Sequence, residues 1–100
     1  MFLDIRFRKS KNPESISLKQ NSPNPFNPVT DMEFKISNKE IVSLKVYDIS
    51  GKEVATIVNK ELTPGIYIFS FDASGLTSGM YLYTLKSNER SITKKMLLLK

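Results

Sequence analysis

Three of the chain's five prolines lie within the six residues Pro23-Asn24-Pro25-Phe26-Asn27-Pro28, around a single aromatic side chain. Proline fixes φ, lacks a backbone N–H and pushes the preceding residue toward extended geometry. Helices and sheet interiors exclude such a run, so we expect it to lie at a sheet edge or to cross between sheets. Phe26 is then the side chain that anchors this stretch to a core. We call residues 22–28 the proline segment.

On the N-terminal side, residues 1–16 give little indication of packed structure. MFLDIRF alternates apolar and charged residues, which suits a short edge strand or, as we favour, a linker. The order of its charges is not that of a secretory signal peptide. Arg6, Arg8, Lys9 and Lys11 against Asp4 give 4 − 1 = +3 of the chain's net charge of +5. We therefore predict a linker or basic arm over 1–16 and a single domain over 17–100.

After the proline segment, apolar residues recur with a period of two, which indicates half-buried β-strands. Met32, Phe34 and Ile36 alternate with charged residues, and Met96 and Leu98 are inward positions of a last strand. Val42, Leu44 and Val46 are likewise expected to face inward. The expected strands cover 16–20, 31–36, 41–48, 53–59, 68–71, 82–85 and 91–99. This spacing predicts an all-β fold, an immunoglobulin-like β-sandwich of about seven antiparallel strands.

The chain also contains an internal echo. Leu62-Thr63-Pro64-Gly65-Ile66-Tyr67 is followed, fourteen positions later, by Leu76-Thr77-Ser78-Gly79-Met80-Tyr81. Each copy continues into a strand in which the tyrosine shares a face with later apolar residues. A glycine followed by an inward tyrosine resembles the tyrosine corner of immunoglobulin-like domains. We expect each ring to fill core while its hydroxyl finds a backbone acceptor.

Composition argues against an enzyme. The chain has neither histidine nor cysteine, which excludes Ser-His-Asp and Cys-His arrangements, disulfides and the common zinc sites. Gly51-Lys52 lacks the upstream glycine of a phosphate-binding loop, and Gly51 is expected to supply a positive φ in a turn. Asp48 and Asp72 both end strands and are better explained as turn caps than as a pair of glycosidase carboxylates. We therefore predict no catalytic, cofactor-binding or metal-binding residues and no small-molecule substrate.

Charge distribution argues against nucleic acid as a partner. Beyond the first twelve residues, eleven basic and nine acidic groups leave +2 over 88 residues. A nucleic-acid-binding domain concentrates basic groups on its folded part. The last seven residues, Lys94–Lys100, permit two interpretations: an edge strand protected from aggregation by its lysines, or a strand that pairs with a partner. The residue chemistry alone favours the first.

Four stretches together resemble a known family. Residues 18–30, Leu-Lys-Gln-Asn-Ser-Pro-Asn-Pro-Phe-Asn-Pro-Val-Thr, are similar to the opening L-x-Q-N-x-P-N-P-F-N-P-x-T of type A C-terminal sorting domains of the type IX (Por) secretion system. Residues 46–54 match V-Y-D-x-x-G-K-x-V, residues 76–83 match L-x-S-G-x-Y-x-Y, and residues 94–100 match K-K-M-x-L-x-K. The resemblance covers about residues 17–100, and Ser22 is a minor departure from it.

The resemblance implies an immunoglobulin-like domain that directs a larger exported protein through the periplasm to the cell surface or medium. Its partners would be translocon components, a sortase-like peptidase and a covalently linked upstream cargo, with the domain itself a monomer. Cleavage would fall within roughly residues 8–17. The motif positions implied in recognition are Pro23, Asn24, Pro25, Phe26, Asn27, Pro28, Gly51, Lys52, Gly79, Tyr81, Lys94, Lys95, Met96 and Lys100.

Two alternatives remain open. The first is a structural or adhesive module similar to the immunoglobulin-like domain of flagellar hook-capping proteins, which would assemble with copies of itself or with a hook protein. The second is a carbohydrate-binding module. Such modules usually carry exposed aromatic residues, often tryptophan, whereas this chain has no tryptophan and only Tyr47 is expected to face outward among its aromatic residues.

Overall fold

The computed structural model describes residues 16–88 and 90–100, and all regular structure in that part of the chain is β. The seven expected strands are confirmed, with ends that shift by a few residues. Their bounds are β1 Ile16–Leu18, β2 Val29–Ile36, β3 Glu40–Asp48, β4 Glu53–Leu62, β5 Gly65–Asp72, β6 Gly79–Lys86 and β7 Ser91–Leu98. The predicted arm over 1–16 lies almost wholly outside the described residues, although Ile16 belongs to β1 and is buried.

The strands form two antiparallel sheets that pack face to face. One sheet has three strands in the order β1-β2-β5, and the other has four in the order β4-β3-β6-β7. In the first, Phe34 lies opposite both Leu18 and Tyr67. In the second, Val46 lies opposite Ala55 and Tyr83. This arrangement confirms the predicted immunoglobulin-like sandwich.

The core lies between the two sheets, on the faces that the two-residue period predicts. The inward residues of β2, β3, β6 and β7 are nearly all fully buried, and each buried side chain contributes roughly 1.5–3 kcal/mol. The inward set is Met32, Phe34, Ile36, Val42, Leu44, Val46, Tyr81, Tyr83, Leu85, Met96 and Leu98. On β5 the inward face is only partly covered, because β5 is the last strand of its sheet in the part of the chain that the structure describes. There Tyr67 and Phe69 are half-buried and stack on Phe34 at 5.4 and 5.9 Å between ring centroids.

The internal echo marks the two places where the chain changes sheets after the β3–β4 hairpin. Its first copy leads from β4 in the four-stranded sheet to β5 in the three-stranded sheet, and its second leads back to β6. The Tyr67 hydroxyl donates to the Thr63 carbonyl at 2.6 Å, and the Tyr81 hydroxyl donates to the Thr77 carbonyl at 2.7 Å. The repeated sequence therefore encodes one repeated corner, with the backbone acceptor that we expected.

Candidate functional site

The proline segment closes the outer edge of β7. The Phe26 N–H donates to the Leu97 carbonyl and the Leu99 N–H donates to the Phe26 carbonyl, both at 3.0 Å. Phe26 thus forms a short parallel bridge beside Leu98. Its ring is 2% exposed and lies 6.4 Å from that of Phe71. Phe26 is therefore the expected anchor. Its backbone pairs with β7 of the four-stranded sheet, and its ring lies beside Phe71 of the three-stranded sheet.

Two polar side chains extend this closure along β7. The Gln20 side-chain amide donates to the Lys95 carbonyl at 2.6 Å, and the Leu97 N–H donates to the Asn24 side-chain oxygen at 3.0 Å. The outward backbone groups of Lys95, Leu97 and Leu99 are therefore paired within the domain. A partner strand can reach this part of β7 only by displacing residues 20–26.

A buried polar network supports the segment from below. Asn21 is 3% exposed, and its side-chain amide donates to the Thr30 hydroxyl at 2.9 Å and to the Pro23 carbonyl at 3.1 Å. The Thr30 hydroxyl donates to the same carbonyl at 2.8 Å. Buried polar groups are costly unless they are hydrogen-bonded, so these partners fix the path of the segment between β1 and β2.

The core tyrosine Tyr83 belongs to the same network. Its hydroxyl donates to the Lys19 carbonyl at 2.8 Å and accepts the Asn21 N–H at 2.7 Å. Burial raises the pKa of the Tyr83 phenol above its ordinary value, and the bond from the Asn21 N–H opposes that rise only in part. The neutral phenol is the form that the fold accommodates.

Gly51 and Lys52 lie in the β3–β4 turn, which Asp48 organises. Gly51 has φ of +92°, a conformation that side chains with a Cβ rarely adopt. The Asp48 carboxylate accepts bonds from the Ser50 hydroxyl, the Ser50 N–H and the Lys52 N–H. These bonds, that of the Ser50 hydroxyl first, lower the pKa of Asp48. Asp72 caps its own turn through Ser74 in the same way, so both aspartates are turn caps, as predicted.

The remaining motif residues lie around β6 and the end of β7. Gly79 has φ of +154° and lies opposite Leu98, and Tyr81 lies opposite Met96. Met96 and Tyr81 are buried, whereas Lys94 is half-buried and Lys95 is exposed. The Lys100 ammonium donates to the Ser74 carbonyl at 2.6 Å, and its N–H donates to the Ser78 hydroxyl at 2.9 Å.

The four motif stretches therefore converge at one end of the sandwich. Asp48 lies opposite Tyr81, Gly79 opposite Leu98, and Phe26 beside Leu98. Phe26, Tyr81 and Met96 are buried there. The motif residues that are exposed to solvent are Pro23, Asn24, Pro25, Asn27, Gly51, Lys52, Lys95 and Lys100. Pro28 is half-buried. Several motif residues hold this end together, and only part of the motif is available to a partner.

The described part of the chain offers few features of a metal site or a small-molecule pocket. No group of three acidic, histidine or cysteine side chains there is arranged to hold a metal ion. A cleft of about 130 Å³ lies beside Lys35 and Ile66 on the outer face of the three-stranded sheet, below the ~300 Å³ of ordinary ligand pockets. Over residues 16–88 and 90–100, no helix has the length and hydrophobicity that crossing a bilayer requires.

Gln20, Asn21 and Thr30 are the important residues that reasoning from the residue types missed. All three belong to the opening motif, but only their hydrogen-bond partners show what they do: Gln20 and Asn21 bind residues 75 and 62 positions away, and Thr30 binds Asn21 and Pro23. An asparagine beside a run of prolines indicates a side chain that holds the local backbone, because Asn side chains hydrogen-bond nearby backbone groups. The signal does not say which carbonyl is the acceptor.

Comparison with known protein families identifies the family of this chain. The family model described as the secretion system C-terminal sorting domain matches residues 22–99. A search of curated proteins found no match. The matched range begins at the proline segment and ends one residue before Lys100, so it contains the converging end except for Lys100.

Proposed function

The chain belongs to the C-terminal sorting domains of type IX secretion systems, and from this membership we propose that residues 17–100 act as a non-catalytic signal that delivers an upstream cargo to the cell surface or medium. A domain of this family implies contact with the type IX machinery, attachment to cargo and export. Transit through the periplasm and recognition by translocon components are the finer parts of the proposal.

The family match over residues 22–99 is the observation that carries this proposal. The geometry adds support because the motifs meet at one end of a single domain. A recognition signal dispersed over the sequence has to be assembled by folding before a receptor can contact it as one surface. Phe26 and Met96 are both buried, Phe26 beside Leu98 of the strand that contains Met96, so they are suited to that assembly rather than to direct contact.

The proposal includes a sortase-like peptidase that separates domain from cargo. Ile16 is 2% exposed and pairs with Ile36 in the three-stranded sheet. A peptidase needs an accessible, extended substrate, so we place the cut N-terminal to Ile16. Within the expected window of residues 8–17, we therefore propose that the cleavage site lies before residue 16.

A reporter fusion tests the function. A periplasm-directed reporter joined to residues 1–100 is expected outside the cells of a bacterium that carries a type IX system, whereas the reporter alone stays periplasmic. Removal of Lys94–Lys100 is expected to retain the fusion in the periplasm. Surface delivery of the truncated fusion, or periplasmic retention of the intact one, contradicts the proposal.

A structural or adhesive module is a second candidate, and the exposed strand β5 is the observation that favours it. Over residues 16–88 and 90–100, β5 pairs only with β2, and its outward Ile66 and Ile68 are 64% and 62% exposed. Long apolar edge strands pair readily with further strands. Oligomers that grow with concentration in light scattering, and that Ile66→Lys with Ile68→Lys abolish, would support this candidate; a strict monomer counts against it.

A further inference from the structure

One half of the outer face of the four-stranded sheet is apolar. Tyr47 lies opposite Leu82, and Met80 lies opposite Leu97. All four point away from the core, because their neighbours along each strand are buried and side chains alternate between faces. Leu99, two residues beyond Leu97, is 51% exposed, and Met80 is 38% exposed. We call Tyr47, Met80, Leu82, Leu97 and Leu99 the apolar corner.

The other half of the same face is polar. Farther along the strands, Lys45 lies opposite Thr84, and Thr84 lies opposite Thr93. Beyond them, Ser43 lies opposite Lys86. Apart from Ile41, a single exposed side chain near the far end of β3, the apolar side chains of this face therefore cluster at the end where the motifs converge. An apolar patch on one part of an otherwise polar sheet face is typical of a contact surface.

Three lysines lie around the apolar corner, together with the carboxylates of Asp48, Glu53 and Asp72. Lys95 lies opposite Leu82 at its margin and is exposed, and Lys52 and Lys100 lie at the same end. Within the described residues, none of these three lysines forms an ion pair. The nearest carboxylate across the sheet, Glu53 opposite Tyr47, is 3.5 Å from the Lys45 ammonium and accepts a bond from the Thr56 hydroxyl.

The other two acidic groups at this end are charged turn caps, with Lys52 near Asp48 and Lys100 near Asp72, which leaves Lys95 as the cation without a nearby carboxylate among the described residues. The Asp48 carboxylate accepts bonds from Ser50 and Lys52, and Asp72 is bound by Ser74. An approaching partner thus meets apolar side chains with the Lys95 ammonium at their margin. Charged groups at an interface favour partners of opposite sign.

We propose that the apolar corner docks a segment of a partner protein in which apolar side chains are flanked by carboxylates. This inference rests on the proposed function and names the surface and the partner chemistry that the sorting signal uses. The contact is made by side chains of the sheet face, because the adjacent backbone edge of β7 is already paired with Gln20, Asn24 and Phe26.

Two other occupants fit the surface less well. A second copy of the domain on this face brings Lys95 toward its own symmetry mate, and like charges across an interface oppose association. An anionic bilayer attracts the lysines and can admit Ile49, which is 78% exposed in the β3–β4 turn. A flat bilayer does not conform to the row of Tyr47 and Leu82 farther down the strands, whereas a protein segment does.

Export of the reporter fused to residues 1–100 tests the proposal. Leu82→Thr with Leu97→Thr removes apolar surface while it keeps residues that favour strands. We expect export to fall about tenfold or more, since each side chain loses apolar contact area and ~1.4 kcal/mol corresponds to a factor of ten. Ile66→Thr with Ile68→Thr, a matched loss on the other sheet, is expected to leave export unchanged. Equal loss in both pairs, or loss in neither, overturns the proposed surface.

The charge is tested separately. Lys95→Glu is expected to reduce export and Lys95→Arg to preserve it, while Lys86→Glu at the polar end of the same face has no effect. Unchanged export of Lys95→Glu overturns the acidic partner. Denaturant melts of each variant show that the domain remains folded. If the unmodified fusion fails to leave the periplasm, the proposed function itself is wrong. If the fusion is exported but the substitutions at Leu82 and Leu97 do not change its export, only the proposed surface is wrong.

Two binding measurements address the competing occupants. Vesicles of phosphatidylethanolamine and phosphatidylglycerol are expected not to bind the protein, and light scattering is expected to show a monomer. Vesicle binding that Leu82→Thr with Leu97→Thr abolishes would assign the surface to lipid and overturn the protein partner. A dimer that the same pair abolishes would assign it to a second copy and overturn the proposal equally.

Discussion

The hydroxyl of Tyr83 donates to the carbonyl oxygen of Lys19 across 64 positions of sequence, at 2.8 Å. The ring of Tyr83 is fully buried between the sheets, while its oxygen reaches the backbone that leads into the proline segment. One side chain thus fixes the path of residues 19–21 relative to the core of the other sheet. The fold of the N-terminal part of the domain depends on a residue of β6.

Tyr83→Phe is expected to lower the free energy of unfolding by about 1–3 kcal/mol, because it leaves the Lys19 carbonyl and the Asn21 N–H without their buried partner. Guanidinium denaturation measures the change. Tyr47→Phe is the matched control, since Tyr47 lies on the outer face, and it is expected to change the free energy little. A loss below ~0.5 kcal/mol in Tyr83→Phe would show that water replaces the phenol.

The same phenol gives the domain a dependence on alkaline pH. Burial raises the pKa of Tyr83 in the folded state, so the unfolded chain releases this proton first. The associated stability is fully present below about pH 10, the ordinary pKa of tyrosine, and is lost as pH rises through the folded pKa. The stability difference between the natural protein and Tyr83→Phe is therefore expected to shrink above about pH 10. A difference that stays constant or grows contradicts the raised pKa.

Phe26→Ala is expected to lower the free energy of unfolding by about 3 kcal/mol, because it leaves a cavity beside Phe71 and Leu98. Denaturant melts measure the loss, and Phe26→Leu, which retains most of the apolar volume, is expected to lose less. A loss below ~0.5 kcal/mol for Phe26→Ala would mean that the segment is not held by this ring.

The two copies of the corner offer a comparison inside one molecule. Tyr81→Phe and Tyr67→Phe each remove a bond to the carbonyl four residues earlier. Tyr81 is 6% exposed whereas Tyr67 is half-buried, so the carbonyl freed in Tyr67→Phe is hydrated more easily. We expect about 1 kcal/mol of destabilisation for Tyr81→Phe and less for Tyr67→Phe. The reverse order in thermal melts would show that burial does not govern these bonds.

Asn24→Ala is expected to expose the Leu97 amide, whose N–H otherwise donates to the Asn24 side chain. Hydrogen exchange at Leu97 should accelerate about fivefold, as loss of roughly 1 kcal/mol of hydrogen bonding implies. Asn27→Ala, an exposed change in the same segment, serves as the control. Unchanged exchange at Leu97 would mean that Phe26 alone protects the edge of β7.

Local patterns predicted much of this fold. Alternation in 31–36 and 41–48 gave both the strands and the inward residues, since a one-residue change of face would bury Lys35 or Lys45. The internal echo predicted the two tyrosine corners, because the backbone requires glycine there and the core requires the tyrosine ring. The turn caps Asp48 and Asp72 were predictable for the same local reason.

Long-range pairing could not be predicted in this way. Nothing within residues 53–72 distinguishes a β4–β5 hairpin from a change of sheet, because both satisfy the same alternation. The pairing of β5 with β2 emerges only when the whole core is assembled. The long-range partners of Gln20 and Asn21 share this property, since Gln20 donates to a backbone carbonyl 75 positions away and the Asn21 N–H donates to the Tyr83 hydroxyl 62 positions away. The apolar corner likewise required the registers of β3, β6 and β7.

The bridge between Phe26 and the end of β7 has a consequence for the order of folding. The proline segment is among the earliest parts of the domain to leave the ribosome, and residues 95–99 come after the other six strands. Their contact cannot form during most of synthesis. Until β7 is made, the backbone groups of β6 and of Phe26 that pair with it lack these partners. The finished end of the domain therefore forms only after translation has passed Leu98, and a chain halted earlier lacks the bridge between Phe26 and Leu98.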